Sequence, residues 1–323
     1  MQAIVCRRYG SPDVLRCEEI EKPTPGDNEV LIEVRAAAVN PLDWHLIRGM
    51  PYGFRFQLGL RKPKDHRVGM DVSGQVEAVG SKVAHFKPAD TVFGACRGAF
   101  AQYACCPDTA VALKPQKLTY EQAASAPVAA LTALQGLRDK GHLQPGQQVL
   151  INGAAGGVGT FAVQIARALG AEVTGVCSAR NVDLVRSLGA QRVIDYARED
   201  FTQAPQRYDL LLDCIGNHSL SACTRVLHPA GFYVMVGGPS GRWIAPMGRV
   251  LRMLLLARFV SQTLAFFMAQ VNHPDLTLIA QLMDSGKLLP VIDRTWPLTS
   301  VPDAIRYLEK GHARGKVVIT VDP

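Results

Sequence analysis

Between Gly153 and Gly159 the chain reads GAAGGVG, preceded by the apolar run QQVLIN (147–152) and followed by Phe161, Ile165 and Leu169 at helical spacing. A glycine-rich turn from strand into helix suits a phosphate chain, because the first helical N–H groups are unpaired and the helix dipole is positive there. In the dinucleotide-binding register the motif is Ala154-x-Gly156-x-x-Gly159, with Ala in place of the first glycine. Gly156 lets the backbone approach a pyrophosphate, Gly159 lets helix and strand pack closely, and Gly157 and Val158 between them count among the cofactor-binding residues. The next strand, AEVTGVCS (171–178), ends without an acid, and none occurs between Glu172 and Asp183. Ser178-Ala179-Arg180 stands there instead. A hydroxyl and a guanidinium suit a 2′-phosphate, and the missing acid removes a repulsion, so the motif points to NADPH. The competing reading of Arg180 is a solvated side chain at a helix start.

Those residues need strands and helices to place them. From Gln147 onward apolar strands alternate with helices: QQVLIN, AEVTGVCS, QRVIDY, DLLLDCIG and GFYVMVGG, with Leu184 and Leu188 in a helix closed by Gly189. Such alternation predicts a parallel sheet covered on both faces. The first 115 or so residues are different, with short alternating runs such as EVLIEVRAAAV (29–39), VSGQVEAVG (72–80) and DTVFGA (90–95). They predict a compact strand-rich unit of barrel type. Thr119 and Gln122 have capping-box spacing before an Ala-rich helix broken at Pro127. VIDRTWPLT, a helix around Asp303 to Leu308 and KVVITV (316–321) look like pieces returning to the first unit.

Composition bounds the function. At 323 residues, with 48% hydrophobic and 20% charged residues, the chain is globular and long enough for two domains. A net charge of +7 permits anionic partners without requiring them. No cysteine sits in a C-x-x-C pair, so the eight cysteines are expected to be reduced, mostly buried thiols in a cytoplasmic protein. The N-terminal MQAIVCRRYG lacks the apolar stretch of a signal peptide.

The motifs AAAVNPLDWHLIRG (36–49), VGMDVSGQVEAVG (68–80), LTAL (131–134), GAAGGVG, VIDY (193–196) and GKVVITV (315–321) together resemble the zinc-independent, quinone oxidoreductase-like medium-chain dehydrogenases/reductases, the zeta-crystallin group. The resemblance covers nearly the whole chain. It implies an α/β protein: a GroES-like, barrel-type catalytic domain (1–118, completed by 289–323) and a Rossmann doubly wound parallel-sheet domain (119–288), with the cofactor in the cleft. It also implies a homodimer, and no nucleic-acid partner.

Matched motif by motif, the zinc-ligand positions of the superfamily hold Asn40, Met70 and the Ala129–Ala130 region, which supply no zinc set. Without a Lewis acid, reduction of a quinone or of an α,β-unsaturated ketone or aldehyde is the expected chemistry, since the developing charge falls on an enolate or phenolate oxygen. The resemblance places Asn40 and Tyr52 at the reacting end as hydrogen-bond donors; a loop-stabilising amide and a packing tyrosine are the competing readings. It places Thr132 near the nicotinamide or phosphates, Tyr196 near the 2′-phosphate and Asn217 near the adenine ribose. Gly237 and Gly238 give clearance at the nicotinamide, and Phe266 and Phe267 flank its pocket. Asp43 and Asp71 match acidic positions of the family. Lys316 is expected as a solvated strand-start lysine or a phosphate contact.

The segment from Gly241 to Gln270 is unusual. Arg249, Arg252 and Met253 interleave with leucines at helical spacing, which predicts a basic amphipathic helix. It could cover the substrate cleft or a subunit seam, lie on a membrane or, least consistent with its composition, meet nucleic acid. The alternative to an enzyme is accordingly a cofactor-binding interaction protein, membrane-associated through this helix.

Overall fold

A computed structural model describes residues 1–237 and 245–322. In chain order the strands are β1 (Gln2–Cys6), β2 (Leu15–Glu19), β3 (Glu29–Val39), β4 (Asp71–Val79), β5 (Thr91–Ala95), β6 (Tyr103–Pro107), β7 (Val111–Leu113), β8 (Gln148–Asn152), β9 (Glu172–Cys177), β10 (Arg192–Asp195), β11 (Tyr208–Asp213), β12 (Leu227–Met235), β13 (Thr263–Phe266), β14 (Ile292–Pro297) and β15 (Lys316–Thr320). The chain divides into two compact units, Met1–Leu131 with Gln270–Pro323, and Thr132–Ala269.

The first unit is built on β3, whose eleven residues serve two partners on one side. Its first half pairs with β6 and its second half with β15, while β4 runs along the other side with register shifts that bend the strand. The resulting sheet runs β14-β15-β3-β4-β5-β7 and is antiparallel except for β14–β15. Alternation along β3 sends Val30, Ile32 and Val34 into a core shared with Val72, Val92, Phe100, Val317 and Ile319. The small residues Ala36 and Ala38 leave room for the helix Tyr120–Ala124, which packs there through Ala124. That helix begins with the expected capping box: Thr119 Oγ1 accepts from the Gln122 amide at 3.2 Å, and Gln122 Oε1 accepts from the Thr119 amide at 3.0 Å.

These contacts move the domain boundaries from the expected 118 and 288. Residues 119–131 pack on the first unit through Ala124 and through the Val128 amide, which donates to Asp71 Oδ1 at 2.9 Å. The helix His273–Asp284 also belongs to it, with His273 Nδ1 2.7 Å from the Val111 carbonyl of β7.

The second unit is a six-stranded sheet in the order β10-β9-β8-β11-β12-β13, parallel throughout. Numbered within the unit this is 3-2-1-4-5-6, the doubly wound order, with its switch point between β8 and β11. In such sheets ligands bind beyond the carboxyl ends of the strands beside that point, and there the glycine turn lies.

Two further expectations are corrected. Cys96 and Cys106 form a disulfide, with Cα atoms 5.1 Å apart, so the cysteines are not all reduced and the premise for a cytoplasmic setting falls. The pairing arises because Cys96, just after β5, and Cys106, within β6, lie in the same core, a proximity that C-x-x-C counting does not detect. Burial pushes the free thiols of Cys6 and Cys177 up to about 11, so neither is a ready nucleophile. The basic segment is not one helix. Its helical part is Ala245–Leu256, and after a turn Thr263–Phe266 becomes β13, pairing in parallel with Phe232–Met235. Among the described residues no helix is long and apolar enough to cross a membrane.

Candidate active site

The glycine turn has the geometry its sequence suggests. The Gly153 and Ala154 amides donate to the Val176 carbonyl of β9 at 3.1 and 3.0 Å, which pins the turn to the neighbouring strand. The helix Gly157–Ala168 starts at an N-cap Gly156 with no side-chain cap and no acid in its first turn. Its opening N–H groups therefore have no helical partner, and no acid of their own turn competes for them. A Cβ at Gly159 would lie 2.1 Å from the Gly153 carbonyl oxygen, so this glycine is demanded by packing alone. At Gly156 the nearest atom to an added Cβ is the Gly153 carbonyl oxygen at 3.4 Å, and its φ of −82° suits any residue. Nothing in the fold requires glycine there, whereas a ligand lying over the turn would. Ala154 is buried, while Gly157 and Val158 are half-buried.

At the ends of β9 and β10, Ser178, Arg180 and Tyr196 come to one edge of the sheet. Asp195 pairs with Cys177 in register, and the Tyr196 amide donates to the Cys177 carbonyl at 3.1 Å. Arg180 and Tyr196 are exposed, and Ser178 Oγ accepts from Asn181 Nδ2 at 3.1 Å. Asp195 turns its carboxylate back to the Ala197 amide at 3.1 Å and lies 3.7 Å from Arg198.

A residue that sequence reasoning missed organises the other side of the switch point. Asp213, fully buried at the end of β11, accepts through Oδ1 from Asn152 Nδ2 at 2.9 Å and from the Gly216 amide at 2.8 Å. Its Oδ2 accepts from the Tyr233 hydroxyl at 2.7 Å and is 3.4 Å from the Arg249 guanidinium. Arg249 also donates to the Tyr233 oxygen and the His218 carbonyl, both at 2.8 Å, so it is a docking residue of the second unit's core and not part of a solvated basic face. Burial, followed by the Asp213 charge, pushes the Tyr233 phenol well up, so it remains a donor. Asn217 is exposed, and its side-chain oxygen accepts from Asn152 Nδ2 at 2.9 Å. The only signal in the sequence is a carboxylate closing an apolar strand, DLLLD.

Gly237 follows β12, its amide donating to the Asp213 carbonyl at 3.1 Å; Gly238 lies outside the described residues. Thr132 is half-buried on the helix Pro127–Gln135. Phe266 and Phe267 do not share a face. Phe266, on edge strand β13, is exposed, while Phe267 packs over Gly136, where a Cβ would meet its ring at 3.4 Å. Successive residues of extended chain point oppositely, and Gly136 leaves the gap that Phe267 fills.

In the first unit the reacting-end candidates form a buried cluster. Lys316 Nζ donates to Asn40 Oδ1 at 2.7 Å and to Asp71 Oδ2 at 3.1 Å. Asn40 Nδ2 in turn donates to Asp71 Oδ2 at 2.9 Å and to the Ala38 carbonyl at 3.4 Å. Lys316 is 3% exposed, so it is neither solvated nor a phosphate contact. Both amide hydrogens of Asn40 are engaged, so this geometry gives it no donor for a substrate carbonyl. It is a positioning residue joining β3 to β4 and β15. Asp43 Oδ2 accepts from the Asn40 amide at 2.7 Å and completes a capping box for the helix Pro41–Arg48. Burial, with a smaller contribution from Asp71, raises the Asp43 carboxyl to about 7. Tyr52 is half-buried, and the Arg55 guanidinium lies 4.6 Å from its ring centroid and 4.4 Å from that of Tyr9.

Comparison with known proteins gives this geometry a family. The alcohol dehydrogenase GroES-like domain family matches residues 26–116, and the zinc-binding dehydrogenase family matches residues 188–319. The mitochondrial NAD(P)H oxidoreductase RTN4IP1 of Mus musculus is 36% identical, over 99% of this chain and 89% of its own. The chain is a medium-chain dehydrogenase/reductase of the quinone oxidoreductase-like group. The chloroplastic NADPH-dependent alkenal/one oxidoreductase of Arabidopsis thaliana is 33% identical, over 99% of this chain and 79% of its own. The structure of the quinone oxidoreductase from Coxiella burnetii superposes with a TM-score of 0.87 at 31% identity, covering 100% of this chain and 99% of that one. In this medium-chain dehydrogenase/reductase no three His, Cys, Asp or Glu side chains among the described residues converge on a possible metal position. At the matched ligand positions stand an engaged amide, a thioether and two methyl groups.

Two outcomes are expected. Gly159→Ala destabilises the fold by about 1–3 kcal/mol or more through overpacking. Gly156→Ala leaves denaturant melts close to wild type and weakens NADPH by about tenfold or more, a loss of about 1.4 kcal/mol. Unchanged binding in the folded Gly156→Ala variant, measured by titration calorimetry, would show that nothing lies over the turn. For Asp43, the folded carboxyl titrates near 7 against 3.8 for the free group. Between those values the folded state keeps a proton that the unfolded state releases, so this contribution is full at low pH and lost as pH rises through 7. Relative to wild type, Asp43→Asn should gain on the order of 4 kcal/mol between about pH 4 and pH 8 in urea melts. A difference independent of pH would remove the raised carboxyl from the account.

Proposed function

We propose that this medium-chain dehydrogenase/reductase uses NADPH, without zinc, to reduce quinones or α,β-unsaturated ketones and aldehydes. The observation that carries the reading is the open backbone at Gly156, on the same sheet edge as Ser178, Arg180 and Tyr196. A Cβ could be accommodated at Gly156, and the helix behind it has no cap of its own. Both features fit a nucleotide whose diphosphate takes the N–H groups of Gly157, Val158 and Gly159. Arg180, with Ser178 and Tyr196, suits the 2′-phosphate because a guanidinium binds phosphate through paired, charge-assisted hydrogen bonds. The relatives named for NAD(P)H, for NADPH-dependent alkenal/one reduction and for quinone reduction support the same reading.

NADPH, when bound, supplies a hydride. On an enone the electron pair arrives at the β-carbon, charge moves to the carbonyl oxygen, and the α-carbon then takes a proton. On a quinone the hydride and one proton give the hydroquinone. Tyr52 retains the role of O–H donor toward the developing oxyanion. Asn40, Asp71 and Lys316 hold the first unit's framework, and their mutual pairing leaves them no part in the proton's path. The donor set at Asn40, Met70 and Ala129–Ala130 supports the zinc-free reading. The proposal includes a homodimer, for which the open outer edge of β13 is suited.

The test is loss of NADPH absorbance with a panel of benzoquinones, enones and enals. Folded protein that binds NADPH yet turns over none of them would leave a nucleotide-binding protein without this activity. Arg180→Ala should weaken NADPH by roughly 1.5–3 kcal/mol while leaving NADH almost unchanged. Equal losses for the two nucleotides would show that Arg180 does not recognise the phosphate.

A further inference from the structure

The helix Ala245–Leu256 carries its leucines on the wrong side for a core helix. Met253 is 3% exposed and Arg249 is tied to Asp213, Tyr233 and the His218 carbonyl, so this face is fixed inward. On the opposite side Leu251, Leu254 and Leu255 are 60%, 59% and 53% exposed, and in the following turn Phe259 is 84% exposed. Arg252 and Arg258 are exposed among them. No Asp or Glu occurs in the sequence between Asp213 and Asp275, while Arg225, Arg242, Arg249, Arg252 and Arg258 all do.

We propose that the outward face formed by Leu251, Leu254, Leu255 and Phe259, flanked by Arg252 and Arg258, docks on an anionic lipid surface. Apolar side chains exposed together with two arginines, in a stretch of sequence without an acid, match a membrane interface, where leucine and phenylalanine enter the acyl boundary and arginine meets lipid phosphate. A second copy of the chain fits less well. A two-fold interface sets the same patch against itself, so the arginines would face each other with no acid in this stretch to pair with. The leucines offer a nucleic acid no platform for stacking. The helix cannot roll to hide them, because its inner face is held by the Arg249 hydrogen bonds. The inference goes beyond the reductase reading and does not need it.

The experiment is co-sedimentation of the full chain with vesicles of phosphatidylcholine alone, and of phosphatidylcholine with an equal part of phosphatidylglycerol. NADPH oxidation is measured separately without vesicles, so a failed activity and a failed docking are distinguishable. Binding is expected only to the anionic vesicles and should weaken as salt is raised. Arg252→Gln with Arg258→Gln should weaken it by about fivefold per arginine. Leu251→Ser with Leu255→Ser should weaken it by about tenfold or more. Circular dichroism melts check that the variants fold, and the lipid and salt dependence of the wild-type chain decides the matter if they do not. Equal binding to both vesicles, none to either, or folded variants that bind like wild type would overturn the proposal. Self-association abolished by the leucine variant, with no vesicle binding, would assign the face to a second copy.

Discussion

The candidate nucleotide edge depends on one carboxylate finding partners where water is absent. Asp213 is fully buried, and removing a carboxylate from water costs several kcal/mol unless its lone pairs are filled. Asn152 from β8, the backbone after β11, Tyr233 from β12 and Arg249 from the helix before β13 fill them. The price of that burial is met only if all four elements end at the same height, which aligns the strand ends beside the switch point. Asn217, tied to the same Asn152, is held in place by the same requirement.

The first unit repeats the device with different residues. Asp71, equally buried, takes Asn40 and Lys316 on one oxygen and the Val128 amide on the other. It thereby joins β4, the end of β3, β15 and the start of the helix Pro127–Gln135. The contrast with a zinc site is chemical. A metal would gather side chains by coordination at this end of the barrel unit, whereas here an ammonium–carboxylate pair and an amide gather the framework. Such a cluster orients the strands through hydrogen bonds and one ion pair.

Patterns that depend on neighbours in sequence were legible. The capping box at Thr119, the strand limits of β3 and the turn before the helix Gly157–Ala168 follow from local spacing and appear where that spacing puts them. Features set by tertiary proximity were not. Lys316 opens a strand and looks solvated, but β15 lies between β3 and β14 and carries it beside Asp71. Cys96 and Cys106 meet only in the folded core of the first unit, and helices at 119–131 and 273–284 change units through contacts with Ala36, Asp71 and Val111. Phe266 and Phe267, adjacent and alike, part company once the chain around them is extended.

The segment after β12 shows how a directional constraint can outrank hydrophobicity. From sequence alone its leucines belong inside and its arginines outside. In the fold Arg249 goes in, and three leucines stay about half exposed. Half-exposing them forgoes roughly 2–4 kcal/mol. Rolling the helix to bury them would strip a buried carboxylate of its cationic partner, at about 3–5 kcal/mol, and would expose Met253 as well. The polar anchor therefore wins, and the outward leucines follow from satisfying Asp213 rather than from any defect of packing. That face remains apolar beside Arg252 and Arg258 because the same helix must first complete the strand ends on which the nucleotide edge is built.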